Sequence, residues 1–273
     1  MHDGERETVE RTDAPLSVDR VAADLRELGV GAGETALVHS SLSAIGWMPG
    51  GVPAAVDALL AAVGASGTVA VPTHSTQLSD PAGWGNPPVP DEWVEAIRET
   101  APPFRPELTP SRGMGAVPEC LRDYPGAVRS RHPTHSFAAR GADADRVVAD
   151  HAYDSPLGEA SPLGALYEMD ALVLRVGVEA NTSLHLAEYR ADYEGKAYES
   201  NGGPVLDGGE RRWVTFEEPV SRDDFREIEA AFERERGDGE DGMRRGTVGT
   251  ADSTLCRMRP LVDFAVEWMA ENR

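Results

Sequence analysis

The strongest chemical signal in the sequence is the segment NTSLHLAE at 181–188. A helix that begins near Thr182 would place His185 and Glu188 three positions apart, and therefore on one face. A carboxylate beside an imidazole fixes the tautomer of the ring and raises its basicity, as a general base requires. The same spacing also occurs in capped helices with a structural ion pair, so both interpretations stay open.

Two further polar clusters directly follow predicted strands. The strand TALVH at 35–39 runs into the turn SSLS, and the strand GTVAVP at 67–72 runs into the turn THS. Ligands of open α/β sheets bind at the carboxyl ends of the strands. Hydroxyl and backbone N–H groups in such turns can hold phosphate or amide oxygens. The alternative is that both turns only cap the helices or turns that follow.

A third cluster, HPTHS at 132–136, places two histidines around a proline and a threonine. Histidine is a common metal ligand, but no third ligand is near in the sequence, so we expect no metal. The sequence also lacks the GxSxG, HExxH, Walker and GxGxxG motifs. The chemistry must therefore come from side chains that the fold brings together.

The predicted elements nearest these clusters alternate between strand and helix. An apolar stripe with Ser17 as N-cap and Gly29 as stop signal predicts a helix at 17–28. A second helix is predicted at 53–63, with Pro53 in its first turn. The order strand, loop, helix, strand favours an α/β sandwich with a largely parallel sheet.

The rest of the chain supplies further helices and strands around two long loops. Strands are predicted at 172–176 and 213–216, and helices at 92–99, 113–122, 184–193, 223–236 and 261–271. We expect residues 1–14 to form a flexible tail and residues 15–273 to form a single domain. Loops near 76–110 and 189–211 lack clear periodicity, and loops of such length are usually functional or disordered.

The charge of the chain limits its partners. A formal net charge of −21, from 47 acidic against 26 basic residues, disfavours binding to nucleic acid. The acidic surface could attract a polycationic substrate, or it could be the solvated surface of a protein from a high-salt cytoplasm. No stretch is long enough to span a bilayer, the polar start argues against a secretory signal, and we expect a cytoplasmic protein.

Taken in order, several stretches resemble the aminoglycoside 3-N-acetyltransferase (antibiotic N-acetyltransferase) family. They include LVHSSLSAIGWMPGG at 37–51, GTVAVPTHS at 67–75, SRGMGAVPECL at 111–121, HPTHSFAARG at 132–141 and VLRVGVEANTSLHLAEY at 173–189. SPLGALYEM at 161–169, RRWVTFEEP at 211–219 and the segment 244–269 complete the set. The resemblance implies a three-layer α/β/α sandwich with a mainly parallel central sheet, distinct from the GNAT acetyltransferases.

The resemblance also implies acetyl-CoA as co-substrate and His185 as the base. Glu217 or Glu188 would orient His185, and Thr73, Ser75 or a backbone N–H of the SSLS turn would donate to the thioester oxygen. Arg112, Arg131 and Arg140 would meet the CoA phosphates. The residues expected on the CoA side are His39, Ser40, Ser41, Leu42, Ser43, Thr73, Ser75, Ser111, Arg112, Gly113, Met114 and His132.

The expected acceptor is an amine of an aminoglycoside or a related amino sugar. Acidic residues would bind its ammonium groups, and the candidates are Glu218, Asp192 and Asp207, with Glu194 and Glu217. The alternatives are acetyl transfer to a different amine metabolite, a CoA-binding protein without turnover, and a Ser/His hydrolase. A covalent acetyl-enzyme is a variant of the mechanism. The sequence leaves the oligomeric state open, with a homodimer as one option.

Overall fold

The computed structural model describes residues 3–273. This part of the chain contains eleven α-helices and nine β-strands. The helices are α1 (Asp3–Glu10), α2 (Val18–Leu28), α3 (Leu42–Ile45), α4 (Val52–Val63), α5 (Asp91–Thr100), α6 (Ala116–Arg122), α7 (Ala144–Val148), α8 (Pro162–Glu168), α9 (Leu184–Arg190), α10 (Phe225–Arg236) and α11 (Met258–Asn272). The strands are β1 (Thr35–Ser40), β2 (Thr68–Pro72), β3 (Val128–Arg129), β4 (Phe137–Gly141), β5 (Leu172–Val176), β6 (Tyr198–Asp207), β7 (Glu210–Pro219), β8 (Arg244–Val248) and β9 (Ala251–Arg257).

Seven of the strands form one sheet in the order β3-β4-β2-β1-β5-β9-β8. At its centre, β1 pairs in parallel with both β2 and β5, and the four outer pairings are antiparallel. The predicted α/β fold is confirmed, with a sheet that is parallel in the middle and mixed overall. Only two residues, Gly249 and Thr250, join β8 to β9, and so short a connection permits only antiparallel pairing.

Helices cover both faces of this sheet, because side chains on each strand alternate between two apolar layers. Ala36 and Val38 of β1 pack with helices α2, α4 and α6. Leu37, on the opposite side of β1, packs with helices α7 to α11. The predicted three-layer α/β/α sandwich is therefore confirmed. Within the described residues, no helix combines the length and apolar composition needed to cross a bilayer.

The first helices form where the local sequence signals place them. The Ser17 hydroxyl accepts a hydrogen bond from the backbone N–H of Arg20, which caps α2. Gly29 ends this helix at φ 122°, in the region that favours glycine. Pro53 lies in the first turn of α4, as predicted.

The sequence prediction missed a long β-hairpin. Ten residues of the expected loop at 189–211 form β6, which pairs with β7 along its whole length, while β7 extends well beyond the predicted strand at 213–216. Gly208 and Gly209 connect the two strands, and both have positive φ, as a tight hairpin turn requires. The glycines and charges in β6 weaken the strand pattern in the sequence.

The expected flexible tail at 1–14 is largely ordered in the structure. Residues 3–10 form α1, and Thr8 in this helix is buried. Thr12 accepts a hydrogen bond of 3.0 Å from the backbone N–H of Trp47. The tail is therefore anchored to the segment after α3, and the expectation for Met1 and His2 lies outside the described residues.

Gly177 tests how tightly the segment between β5 and α9 packs. It has φ 67°, and a Cβ added there would overlap the Cβ of Ala44 in α3. We expect Gly177→Ala to lower the unfolding free energy by about 2–4 kcal/mol, from left-handed backbone strain plus overpacking. Chemical denaturation would measure the change.

The matched control is Gly195→Ala, at φ 77° with no atom within 4 Å of the added Cβ. Strain alone should then cost about 1 kcal/mol. Equal losses at the two positions would contradict the predicted clash.

Candidate active site

The contact predicted between His185 and Glu188 is present on α9. The Nδ1 atom of His185 lies 2.7 Å from a carboxylate oxygen of Glu188. The Glu188 side chain is 2% exposed, whereas that of His185 is 29% exposed. Because Nδ1 donates its proton to the carboxylate, Nε2 is left as the unprotonated nitrogen of the neutral ring. This is the arrangement of an imidazole oriented for proton abstraction.

Glu188 is ionised despite its burial. Burial alone would raise the pKa of this carboxyl, but hydrogen bonding to His185 and the charge of Arg273 bring the pKa below its ordinary value. Of the two carboxylates expected to orient His185, Glu188 is therefore the one in contact with it. Glu217 is exposed on β7, on the side opposite to its neighbour Glu218, because successive strand residues face opposite ways.

Glu218 is the carboxylate of β7 that belongs to the site. It lies 3.5 Å from Nε2 of His135, and both side chains are 14% exposed. The Asn201 amide donates a 2.7 Å hydrogen bond to its other oxygen, which fixes the carboxylate. Burial raises the pKa of Glu218, and positive charge on His185 opposes that rise. A half-buried carboxylate of this kind can bind an ammonium group.

The histidines around His185 are neutral at pH 7. Burial lowers the pKa of His39 to about 3, with contributions from the charges of Arg175 and His185. Burial, with the charges of neighbouring histidines including His185, lowers the pKa of His135 to about 3 and that of His74 well below its usual range. The strand ends and α9 therefore gather these rings into one site, as the polar clusters in the sequence indicated.

Only some of the polar groups at the end of β1 and in the turn after it form hydrogen bonds within the protein. The backbone N–H of Thr182 donates to Nε2 of His39 over 2.9 Å, so His39 carries its proton on Nδ1. Neither that Nδ1 nor the Ser40 hydroxyl has a partner among the described residues, although both are buried. The Ser41 hydroxyl accepts from the backbone N–H of Ala44 and caps α3.

A cavity of about 430 Å³ lies beside α3 and the following glycine-rich turn. Leu42 and Ser43, two residues expected on the CoA side, line it together with Trp47 and Met48. Helix α1 closes one side through Thr8. This lining combines apolar side chains with the polar Thr8 and Ser43, which fits an extended ligand that has both apolar and polar parts.

The hydroxyls of Thr73 and Ser75 are not free to bind a ligand. Both side chains are fully buried. The guanidinium of Arg129 donates to the Thr73 hydroxyl over 3.1 Å and to its carbonyl over 2.7 Å. The Ser75 hydroxyl donates to the Pro133 carbonyl over 3.1 Å. The role of these two hydroxyls at the thioester therefore stays a prediction, and in this structure both are held by contacts within the protein.

His132, which the sequence also assigned to the CoA side, is held by contacts within the protein. Its Nδ1 accepts from the backbone N–H of His135 over 3.1 Å, and its Nε2 lies 3.3 Å from the Tyr153 carbonyl. The ring is fully buried and stacks on His151 with centroids 4.7 Å apart. Burial lowers its pKa well below the usual range. This histidine holds the HPTHS turn in shape.

The SRGMG turn lies against both strand ends. The backbone N–H of Arg112 donates to the His74 carbonyl over 2.8 Å, and Gly115 faces the Ser40 carbonyl. The Ser111 hydroxyl donates a 2.5 Å hydrogen bond to a carboxylate oxygen of Glu119, which stabilises this turn. The side chain of Arg112 and Gly113 are exposed, and Met114 is half-buried. The three segments that the sequence assigned to the CoA side are thus neighbours.

Other predicted residues lie outside this group. Asp192 is exposed, and Asp207 is exposed at the end of β6, where it pairs with Arg212. Arg140 pairs in register with Val69, near the amino end of β2, and donates to the Pro125 carbonyl. It lies at the wrong edge of the sheet for a site at the carboxyl ends.

Sequence reasoning missed the buried charges that support the site. Besides Arg129, the structure places Arg175 of β5 against Glu229 of α10 at 2.7 Å, and Glu229 accepts from Asn181 at 2.7 Å. Asn181 in turn accepts from the backbone N–H of Ser183, just before α9. An arginine within the apolar strand LVLRV was the available signal, because a buried charge needs a partner.

Comparison with known proteins places the chain in a family. The profile of the aminoglycoside 3-N-acetyltransferase family matches residues 37–270. The chain belongs to the aminoglycoside 3-N-acetyltransferase family. Among the described residues, no group of three or more His, Cys, Asp or Glu side chains has the geometry to hold a metal.

Relatives in this family match nearly the whole chain. The SPbeta prophage-derived aminoglycoside N(3')-acetyltransferase-like protein YokD of Bacillus subtilis is 41% identical over 98% of this chain and 97% of its own. Its crystal structure superposes with a TM-score of 0.92 over 98% of both chains. Aminoglycoside N(3)-acetyltransferase VII of Streptomyces paromomycinus is 40% identical over 96% of this chain and 94% of its own. The AAC-IIIb binary structure with CoASH has a TM-score of 0.82, 33% identity, and coverage of 94% and 97%.

The buried histidines predict how stability depends on pH. Each has a pKa lower in the folded state than in the unfolded state, so the unfolded chain binds more protons below pH 6.5. The unfolding free energy should fall as the pH drops from 7.5 to 5.5. Each ring kept neutral should cost about 1.4 kcal/mol at pH 5.5. Denaturant titrations at several pH values measure this loss.

His151→Gln isolates one ring of the set, whose pKa burial lowers to about 4. The variant should lose less stability between pH 7.5 and 5.5 than the parent, by about 1.4 kcal/mol. The raised pKa values of Glu218 and Glu229 act in the opposite sense equally in both proteins. Parallel stability curves for variant and parent would contradict the prediction.

Proposed function

We propose that this protein transfers the acetyl group of acetyl-CoA to an amine of an aminoglycoside or a related amino sugar, with His185 as general base. The observation that carries the proposal is the His185–Glu188 pair, which leaves Nε2 of a partly exposed imidazole free to take a proton. Membership of the aminoglycoside 3-N-acetyltransferase family, and the CoASH bound to the related AAC-IIIb, support the donor and the acceptor.

In this mechanism His185 removes a proton from the acceptor amine as the nitrogen attacks the thioester carbon. The bond between that carbon and the CoA sulfur then breaks, and the CoA thiolate takes up the proton from His185 and leaves as the free thiol. The imidazolium that forms is paired with the ionised Glu188, so the proton moves onto a site whose positive charge is already balanced. The neutral His135 and the carboxylate of Glu218 lie beside this position. Glu218 would hold an ammonium group of the acceptor, which places the reacting amine near His185.

Negative charge develops on the thioester oxygen during attack and needs a hydrogen-bond donor. Because the Thr73 and Ser75 hydroxyls are occupied, we assign this role to backbone N–H groups of the turn after β1, the remaining donor of the three expected from the sequence. Acetyl-CoA would lie along the cavity that Leu42, Ser43 and Trp47 line. Direct transfer then needs no acetyl-enzyme.

His185→Gln tests the base. The variant keeps a polar side chain that Glu188 can contact but cannot accept the proton, so kcat should fall by about 10²–10⁴-fold. The affinity for acetyl-CoA should stay near that of the parent. Thiol release from acetyl-CoA with an aminoglycoside measures turnover, and calorimetry measures binding.

The control for that test is His151→Gln, since His151 is a buried histidine outside the site, bonded to Ser130 and to the Pro156 carbonyl. A kcat within a few-fold of the parent is expected. Parent-like turnover in His185→Gln would remove His185 from the role. A panel of other amines, read by the same thiol release, tests whether the acceptor is a different amine metabolite.

Glu218→Gln tests the acceptor site, and its neighbour on the opposite face of β7 supplies a matched control. Loss of a charge-assisted hydrogen bond from a half-buried carboxylate should raise KM for the aminoglycoside by about 10–100-fold. The KM for acetyl-CoA should not change. Glu217→Gln removes the same charge from an exposed position and should change either KM less than about threefold. Equal effects of the two variants would show that only overall charge matters.

A further inference from the structure

A buried arginine holds the carboxylate that orients His185. Arg273 lies directly after α11; its side chain is 1% exposed, and its Nη1 lies 3.0 Å from a carboxylate oxygen of Glu188. His185 contacts the other oxygen of the same carboxylate. The two contacts together fix the rotation of the Glu188 carboxylate, so the direction of the His185 ring depends on Arg273.

A second carboxylate holds the arginine from its far side. Asp224 accepts from Nε of Arg273 over 2.8 Å and from Nη2 over 2.6 Å, the bidentate geometry that arginine favours. Asp224 has no hydrogen bond to His185 or Glu188 among the contacts of the described residues. A chain of contacts therefore runs from His185 through Glu188 and Arg273 to Asp224.

The summed charge of these four groups is suited to proton transfer. Glu188 and Asp224 carry two negative charges and Arg273 carries one positive charge, which leaves one negative charge when His185 is neutral. When His185 takes a proton, the four groups become neutral as a set. A buried carboxylate next to a neutral imidazole, with no arginine, would instead favour its own protonation.

Other groups that face the His185–Glu188 pair do not supply the balancing charge that Arg273 and Asp224 provide. The backbone N–H of Arg222 donates to Glu188 over 3.3 Å, and the Arg222 guanidinium donates to the Arg273 carbonyl over 3.2 Å. The Tyr193 hydroxyl accepts from Arg273 over 3.3 Å. The charge of His185 also acts on four groups across the site, which are His39, His74, His135 and Glu218.

We propose that Arg273 and Asp224 are positioning residues that hold Glu188 against His185 and set the pH below which the base is lost. This inference rests on the proposed function for its kinetic consequence. Neither residue touches the reacting atoms; each acts through Glu188. Their opposite charges give a signature that a purely structural contribution to folding does not have.

The test compares how kcat/KM falls at acid pH, the acid limb of its pH profile, in two variants, one that removes a positive charge and one that removes a negative charge. Arg273→Met removes positive charge, so the His185–Glu188 pair should hold its proton more strongly and the limb should move up by about one pH unit. Asp224→Asn removes negative charge and should move the limb down. Thiol release from acetyl-CoA with an aminoglycoside, from pH 5.5 to 9, measures both.

Two further variants separate charge from general damage. Arg190→Met removes an arginine from the same helix as His185, where it pairs with Glu159 instead of Glu188. It should leave the limb where it is in the parent. Arg273→Lys keeps the charge but cannot make the bidentate contact, so kcat should fall while the limb stays within about 0.3 units of the parent.

A second readout does not need turnover. The ring of His185, labelled with ¹³C and followed by NMR against pH, should take up its proton at higher pH in Arg273→Met and at lower pH in Asp224→Asn. Absence of acetyl transfer in the parent would overturn the proposed function and leave this readout intact. Titration curves of His185 that coincide in parent, Arg273→Met and Asp224→Asn would overturn the positioning role, and if Arg273→Met fails to fold, Asp224→Asn and Arg273→Lys decide it.

Discussion

The structure depends on keeping one carboxylate charged inside the protein. Glu188 is almost completely buried, and an isolated carboxylate at such a place would take up a proton instead of staying ionised. It stays ionised because a cation or hydrogen-bond donor meets each oxygen. Those partners come from α9 itself and from the residue after α11, so the proposed chemistry depends on the packing of α11 beside α9.

The sheet explains why these groups meet at one edge. The parallel strands β1, β2 and β5 all end at the same side, and each is followed by a polar segment. The segment after β5 leads into α9 and is tied down by the network of Arg175, Glu229 and Asn181. Burying charged groups near this edge costs free energy, and ion pairs on one face of the sheet offset that cost. The opposite face is packed by apolar side chains from α2, α4 and α6.

Sequence reasoning succeeded where the signal is local. The contact between His185 and Glu188 follows from helical spacing alone, and Ser17, Gly29 and Pro53 mark their helices by known conformational preferences. Local signals do not reveal partners that are distant in the sequence. Thr73 and His132 have the residue types of a binding site, but Arg129, 56 residues from Thr73, and the Tyr153 carbonyl occupy them. Nothing in the local sequence could show those contacts. The β6–β7 hairpin was missed for a related reason, since its register is set by pairing between a strand that contains two glycines and a strand rich in charged residues.

The candidate site has two parts that differ in how freely their residues can change. The proposed base is fixed by buried charges on α9 and by Arg273, and a change in any of them alters the charge on the whole set. Glu218, in contrast, reaches the site on a two-stranded hairpin that is outside the main sheet, and it is oriented by Asn201 of the paired strand. The surface around the hairpin can therefore change shape and charge at little cost to the base. A net charge of −21 spread along the chain adds a general attraction for cations, but screening by salt weakens that attraction beyond about 10 Å. In the proposed mechanism, selection among amines depends on close contacts such as that of Glu218, and the buried pair on α9 would supply the same chemistry to whichever amine is held there.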